Sequence, residues 1–349
     1  MTSLMRTFIA SPLMTRIRPV RAEDPKAFLT NPPAEHIAYA RYEPISQEMI
    51  VGEVKELAEL NGVKPVPFCG YWIKFKGAAG KPNQKAGPDE KVLMHLHGGG
   101  YIASSSYPEG DGCGNFYHDL LSQCASMWRI FSCGYRLSSS APFPASNAFP
   151  AALFDALAGY YYLLRVAGFR PENVSISGDS AGGHLTLALT RYIALHRPAG
   201  LPMPGQIILI SPTGEWEPTH DGPDASFRRN DPSDYSTPFF WGYTKRSLLG
   251  NMPDEAVVNS PWISPASLLL SEIKELFKGL PRTYLTVGDA EVLLDVCHTL
   301  RDRLIAGIGE ENVTYVEVED ATHDFVTQDW HEPERTDSMK HIAAWAGWL

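Results

Sequence analysis

The segment GDSAG at residues 178–182 has the composition and spacing needed to present a reactive serine. It follows a short apolar run at residues 174–177 and precedes a helical pattern that ends near His196. Small residues allow a sharp turn between a strand and a helix, and such a turn lifts a serine hydroxyl above the sheet. The pattern G-x-S-x-G also occurs by chance, but its strand and helix context favours function. We therefore predict that Ser180 is a nucleophile.

A second glycine-rich segment, HGGG at residues 97–100, closes the apolar run at residues 92–96. Because glycine allows close backbone approach, we predict that the amides of Gly98 and Gly99, with that of Ala181, form an oxyanion hole. His97 is expected to brace this segment through hydrogen bonds. The alternatives are a turn without a ligand and a phosphate cradle, and the cradle is disfavoured because the G-x-x-x-x-G-K pattern is absent.

A base that activates Ser180 should lie beyond the last predicted strand, at residues 313–318. His323 is the one histidine of 11 in the loop after this strand, and we predict that it is the general base. His184 lies one helical turn after the nucleophile and is expected to pack or hydrogen-bond locally. His95 and His97 form an H-x-H pattern without an evident third ligand, so no metal is expected.

An acidic side chain that orients the base is expected after the predicted strand at residues 283–287. Asp289 and Glu291 both lie in the loop that follows this strand, and Asp295 is expected to lie already in the next helix. Spacing alone does not choose between Asp289 and Glu291.

Taken together, these segments resemble the hormone-sensitive-lipase-like branch of the α/β-hydrolases, a family with many microbial carboxylesterases. The resemblance is carried by HGGGY at 97–101, YRL at 135–137, FPAAL at 149–153, GDSAGG at 178–183, the Ser264-Pro265 pair and the loop of His323. It extends from about Val92 to the C-terminus, and the combination is highly specific for the family. The resemblance implies an α/β-hydrolase fold, in which a mostly parallel central sheet is flanked by helices.

The resemblance also implies an activity and its residues. Family members carry an acid motif D-x-L-x-D or E-x-L-x-D, and the segment EVLLD at residues 291–295 matches it, which selects Glu291 over Asp289. The expected reaction is hydrolysis of short- to medium-chain acyl esters by Ser180, Glu291 and His323, without a cofactor or metal. Amide, formamide or lactone hydrolysis by the same residues is an alternative, as are acyl transfer to an alcohol and ligand binding without turnover.

Two segments depart from the family pattern. The loop at residues 138–148 is longer than in the family and is expected to reshape a pocket wall. His323 is followed by Asp324, where glycine is commoner, and we expect this side chain to lie at the surface without loss of activity. Non-catalytic receptors of the family have lost the histidine, whereas Ser180 and His323 are both present here.

Strands and helices alternate along the sequence, and this alternation predicts a parallel sheet covered by helices. The predicted strands lie at residues 68–75, 92–96, 128–135, 174–177, 207–210, 283–287 and 313–318. The predicted helices lie at residues 46–60, 149–166, 181–196, 292–305 and 339–349.

A long segment interrupts this alternation. Residues 215–270 are rich in proline, aspartate and aromatic residues, and insertions of this length are usually functional. We predict a catalytic domain at residues 66–214 and 271–349, with a cap formed by the insertion 215–270 and the N-terminal arm 1–65. The aromatic run FFWGY at residues 239–243 is expected either to line an acyl pocket or to pack the cap against the domain.

The composition disfavours several classes of partner. The 349 residues carry a formal net charge of −10, which disfavours nucleic acid and anionic membranes as main partners. No apolar run approaches the ~18 residues of a membrane span. The expected partner is a small-molecule ester. The resemblance also raises a homodimer as an expectation, although no segment identifies an interface.

The cysteines and the N-terminus bear on the compartment. The five cysteines are odd in number and form no C-x-x-C pair, so we expect free and mostly buried thiols in a reducing environment. The N-terminus lacks the features of a secretory signal, and the expected location is cytoplasmic. The residues before Glu23 include arginines but no acidic residue. This composition also fits import into an organelle, and the alternative is a flexible or cap-forming arm.

Overall fold

Eight strands form one sheet in the computed structural model, which describes residues 34–108, 114–237 and 242–349. In chain order the strands are β1 (Ile37–Tyr42), β2 (Phe68–Lys74), β3 (Val92–Leu96), β4 (Arg129–Cys133), β5 (Val174–Asp179), β6 (Gln206–Ile210), β7 (Arg282–Gly288) and β8 (Val313–Val318). Across the sheet the order is β1-β2-β4-β3-β5-β6-β7-β8. β2 runs antiparallel to its neighbours β1 and β4, whereas the strands from β3 to β8 are mutually parallel. The predicted mostly parallel sheet is therefore confirmed.

The order of the strands reverses at β3, which lies between β4 and β5. In open α/β sheets, ligands bind beyond the carboxyl ends of the strands at such a reversal. Leu96, the last residue of β3, pairs with Gly178 near the end of β5. The two glycine-rich segments thus leave the sheet side by side.

Helices cover both faces of the sheet. In the described residues they are α1 (Glu53–Leu60), α2 (Gly114–Ser122), α3 (Ala151–Tyr162), α4 (Ala181–His196), α5 (Ser226–Arg229), α6 (Tyr243–Leu249), α7 (Ala256–Asn259), α8 (Leu294–Ile308) and α9 (Glu334–Trp345). α3, α4 and α8 belong to the larger hydrophobic cluster, whereas α2 and α9 belong to a second cluster. The strands from β3 to β6 are buried along their whole length, as expected for a sheet covered on both faces.

Four of the five predicted helices have different bounds in the structure, and the one predicted at 292–305 lies at Leu294–Ile308. The segment 46–60 divides into a 3-10 turn, Gln47–Met49, and α1, because Gly52 between them has a φ of 64° that no continuous helix accommodates. The helix predicted at 149–166 begins after Pro150 as α3 and ends in a π-helical turn, Leu163–Ala167. The C-terminal helix begins at Glu334 rather than at residue 339.

Outside the insertion, one strand and one helix were not predicted, β1 and α2. β1 pairs with β2 along its length, from Ile37 opposite Ile73 to Tyr42 opposite Phe68. Its conformation therefore depends on a partner strand and not on its own pattern alone. β1 lies within the segment 1–65 that was predicted to be an N-terminal arm, so this part of the arm extends the sheet. The division into catalytic domain and cap stays a prediction.

The insertion 215–270 contributes three short helices, α5, α6 and α7. Of the aromatic run at residues 239–243, Gly242 and Tyr243 are described, and Tyr243 begins α6. The other three aromatic residues of the run lie outside the described residues. Whether the run lines an acyl pocket or packs the cap therefore stays a prediction.

The four described cysteines are free thiols, as predicted. Cys69, Cys133 and Cys297 are buried, and Cys124 is half buried. Cys113 and the arginines before Glu23 lie outside the described residues. Among the helices that the structure describes, none is long and apolar enough to cross a membrane.

Candidate active site

Ser180 occupies a sharp turn between β5 and α4. Its backbone has a φ of 50° and a ψ of −117°, and its amide donates to the carbonyl of Ile210 on the neighbouring strand at 2.9 Å. Small residues are required on both sides of the turn. A Cβ at Gly178 would lie 2.1 Å from the carbonyl oxygen of Gly182, and a Cβ at Gly182 would lie 1.9 Å from that of Leu96. These contacts explain why the predicted motif has glycine at both positions.

His323 lies in the loop after β8, next to the serine. Its Nε2 is 2.9 Å from Ser180 Oγ, and its Nδ1 is 3.1 Å from Glu291 Oε2. All three side chains are buried. The fold therefore brings together three residues that are far apart in the sequence, in an arrangement that could pass a proton from the hydroxyl to the imidazole.

Glu291 is fully buried, and both of its carboxylate oxygens are hydrogen-bonded. Oε1 accepts from Ser211 Oγ and from the amide of Gly288, each at 2.7 Å, while Oε2 faces His323. Burial raises the pKa of Glu291, and the hydrogen bond and charge of His323 oppose that rise. These bonds fix the orientation of the carboxylate toward Nδ1 of the imidazole.

Asp289, the other candidate for the acidic position, points elsewhere. Its Oδ1 accepts from the amide of Asp320 at 2.8 Å, and the residue is half buried. Its carboxylate therefore ties the loop after β7 to the loop after β8, whereas Glu291 contacts the imidazole of His323.

The amide of Gly98 is already engaged. It donates to Asp179 Oδ2 at 3.0 Å, a bond that competes with the predicted role of this amide toward an oxyanion. Within the described residues, the amides of Gly99 and Ala181 have no acceptor, and neither does that of Gly100, which was not among the predicted donors. Asp179 is the residue in the sequence that could have indicated that the amide of Gly98 is engaged. It ends the strand next to β3, which leads into the HGGG segment.

Two buried histidines, His97 and His184, hydrogen-bond to the backbone near the site rather than to the serine. Nδ1 of His97 donates to the carbonyl of Gly98 at 2.7 Å, which is the bracing bond that was predicted. His184 Nε2 donates to the carbonyl of Ile263 in the insertion at 2.8 Å, and its Nδ1 accepts from Tyr101 at 2.7 Å. Burial lowers the pKa of His97 and of His184 to about 4, so both are neutral at physiological pH.

The insertion holds the loop that carries Glu291, residues 289–293, which we call the acid loop. Asn230 Nδ2 donates to the carbonyls of Asp289 and Glu291, each at 2.7 Å. Asp234 Oδ2 accepts from the amide of Val292 at 2.7 Å. Sequence reasoning missed both residues, because neither lies in a motif and their partners are about 60 residues away.

Asp324 does not lie at the surface as predicted. The residue is 7% exposed, and its Oδ2 is 3.3 Å from His323 Nε2. Its amide donates to Ser211 Oγ at 3.2 Å, which ties this turn to the residue that follows β6. Burial raises the pKa of Asp324 well above its usual range, and the charge of His323 opposes that rise.

Asp234, Glu291 and His323 place one potential metal-ligand atom each within 4.8 Å of one another. The oxygens of both carboxylates already accept hydrogen bonds, those of Asp234 from the amides of Ser236 and Val292. The nitrogen of His323 that faces Glu291 is likewise engaged. Hydrogen bonds therefore explain the cluster: Glu291 pairs with the imidazole, and Asp234 binds backbone amides. We assign no metal to it.

The loop at residues 138–148 packs against the insertion. Within it, Ser139 and Ser146 form a short antiparallel bridge. Ser140 Oγ lies 2.9 Å from Ser247 Oγ on α6. The extra length of this loop therefore makes contact with the insertion.

Comparisons with known proteins agree with this geometry. Residues 93–327 match a sequence family described as having the alpha/beta hydrolase fold. The chain is 27% identical over 233 residues to an esterase of Acinetobacter venetianus, covering 66% of this chain and 67% of that protein. It is 29% identical over 258 residues to an acetyl-hydrolase of Streptomyces hygroscopicus, covering 73% of each chain. A solved structure of a hormone-sensitive lipase from a metagenome library superposes with a TM-score of 0.65 at 25% identity, over 99% of this chain and 96% of that one.

Proposed function

Because this chain belongs to the α/β-hydrolase family and is an ester hydrolase related to hormone-sensitive lipase, we propose that it is a serine carboxylesterase acting on short- to medium-chain acyl esters. The observation that carries the proposal is the continuous contact from Ser180 through His323 to Glu291. The similarity to an acetyl-hydrolase supports a small acyl group.

In the proposed mechanism, Ser180 Oγ attacks the ester carbonyl while Nε2 of His323 takes its proton. Glu291 holds the Nδ1–H tautomer of His323 and stabilises the imidazolium that forms. The alcohol then leaves with the proton from Nε2. Water, activated by the same nitrogen, hydrolyses the acyl-enzyme and regenerates the serine.

The tetrahedral intermediate carries a negative oxygen that needs donors. We assign this role to the amides of Gly99 and Ala181, together with that of Gly100 in place of Gly98. Their lack of acceptors among the described residues supports the assignment. Each such donor is worth roughly 3 kcal/mol of transition-state stabilisation. Asp179 supports the hole indirectly, since it anchors Gly98 and thereby the loop.

We also propose that the insertion 215–270 acts as a cap that positions the acid loop. Asn230 and Asp234 bind the backbone of that loop, and Ile263 binds His184 on α4. The cap would therefore influence both substrate fit and the placement of Glu291.

The test is hydrolysis of p-nitrophenyl esters from acetate to palmitate by the wild type and by Ser180→Ala, with Ser122→Ala, an exposed serine, as control. We expect greatest activity on short chains, a loss of about 10⁴-fold or more in Ser180→Ala, and no change in the control. Hydrolysis that survives Ser180→Ala would refute the nucleophile. A folded wild type that cleaves amides or lactones but no ester would refute the substrate class.

A further inference from the structure

Nε2 of His323 faces two oxygen atoms. Ser180 Oγ lies at 2.9 Å and Asp324 Oδ2 at 3.3 Å. A ring nitrogen offers either one lone pair or one N–H, so it serves one of these neighbours at a time. As a base toward Ser180 it needs a free lone pair, and as a donor to Asp324 it needs a proton.

The carboxylate of Asp324 is buried and incompletely satisfied. Its Oδ1 is inaccessible and has no hydrogen-bond partner in the described part of the chain. Its backbone has a φ of 57°, in the left-handed region that glycine adopts most easily. Glycine, the commoner residue at this position in the family, would satisfy the same backbone without placing a carboxylate against the base. The turn therefore does not require aspartate.

The groups that face this pair are acidic or neutral. Glu291 contacts the opposite nitrogen of the imidazole, and Asp234 and Asp179 lie near enough to act through their charges. The ring of Tyr235 packs edge-on against His323, with 5.8 Å between centroids. Burial lowers the pKa of His323, but the carboxylates of Asp324 and Glu291 outweigh burial and raise that pKa to about 10.

We propose that Asp324 is a positioning residue that shares a proton with Nε2 of His323 and thereby sets the pH range in which His323 accepts the proton of Ser180. The inference rests on the proposed function, in which His323 is the base. Below the pH at which the shared proton leaves for solvent, the lone pair of Nε2 is occupied and attack by Ser180 is suppressed. Activity then rises with pH, and removal of the carboxylate extends it to lower pH.

The experiment compares pH profiles of kcat/KM for p-nitrophenyl acetate in the wild type, Asp324→Asn and Asp324→Gly. Asp320 provides a matched control, because it lies in the same loop with a φ of 56° but is exposed. We expect the acidic limb of both Asp324 variants to shift to lower pH by about one unit or more, with about tenfold higher kcat/KM below it. Asp320→Asn should keep the wild-type profile. An unchanged limb in both folded Asp324 variants would overturn the proposal.

A second measurement tests the role of Asp324 independently of whether the protein hydrolyses esters. The ¹³Cε1 resonance of His323, assigned by its absence in His323→Gln, is titrated by NMR in the wild type and in Asp324→Asn. A lower titration midpoint in the variant supports proton sharing even if the wild type hydrolyses no ester, an outcome that would refute the function alone. Ester hydrolysis that depends on Ser180, together with identical midpoints, would refute the role of Asp324 alone.

Discussion

Replacing Glu291 with glutamine removes one charge at the proposed site while keeping the size of the side chain. The glutamine carbonyl can still accept from Ser211 and from the amide of Gly288. Its NH₂ group then faces Nδ1 of His323, which must become the acceptor. The proton moves to Nε2, and that nitrogen loses the lone pair it needs to activate Ser180.

The magnitude follows from the geometry. Glu291 Oε2 lies 3.1 Å from His323 Nδ1, and both side chains are almost fully buried. At an effective dielectric constant of about 20, a full charge pair at this distance interacts by about 5 kcal/mol. Each ~1.4 kcal/mol changes a rate tenfold. We therefore expect kcat/KM to fall by about 10³- to 10⁴-fold, almost entirely through kcat.

The matched control is Asp289→Asn, because Asp289 lies in the acid loop but contacts Asp320 instead of the imidazole. The assay is hydrolysis of p-nitrophenyl acetate, with thermal unfolding of each variant to establish that it is folded. Asp289→Asn should change kcat/KM by less than about threefold. If a folded Asp289→Asn lost more activity than Glu291→Gln, the role of Glu291 as the residue that orients His323 would be refuted.

Two further predictions concern residues outside the proposed catalytic groups. Asn230→Ala removes two hydrogen bonds to the acid loop and should lower kcat of p-nitrophenyl acetate hydrolysis about tenfold with little change in KM. An unchanged kcat would show that the loop holds its position without the insertion. Arg136→Ala leaves the carboxylate of Asp155 buried without its partner 2.8 Å away, and should reduce the free energy of unfolding in urea by about 3–5 kcal/mol. Arg170→Ala, which breaks an exposed ion pair, should cost less than about 1 kcal/mol, and equal losses in the two variants would contradict this account.

The parts of the molecule that were predicted correctly depend on local pattern. Alternating strands and helices predicted the parallel sheet, and seven of the eight strands were located from apolar runs or from an alternating aromatic stretch. The turn at Ser180 was predicted because strand, glycine and helix signals adjoin within a few residues. These patterns depend on the periodicity of apolar residues and on steric exclusion between residues that are close in the sequence.

The parts that were wrong or missed depend on residues far apart in the chain. The amide of Gly98 points at Asp179 because β3 and β5 are neighbours in the sheet. Asn230 reaches the acid loop from the insertion. Spacing left Asp289 and Glu291 equivalent, and the choice between them rested on the family motif.

By itself, the sequence determined the fold class and the segments that carry the candidate chemistry, because those depend on local pattern. Only the tertiary structure decided which amides have acceptors, which carboxylate contacts His323 and that Asp324 is buried beside it. Such contacts join residues from different loops. How strands pair and how loops pack decides which side chains and amides meet. The spacing of residues along one segment encodes neither the pairing nor the packing.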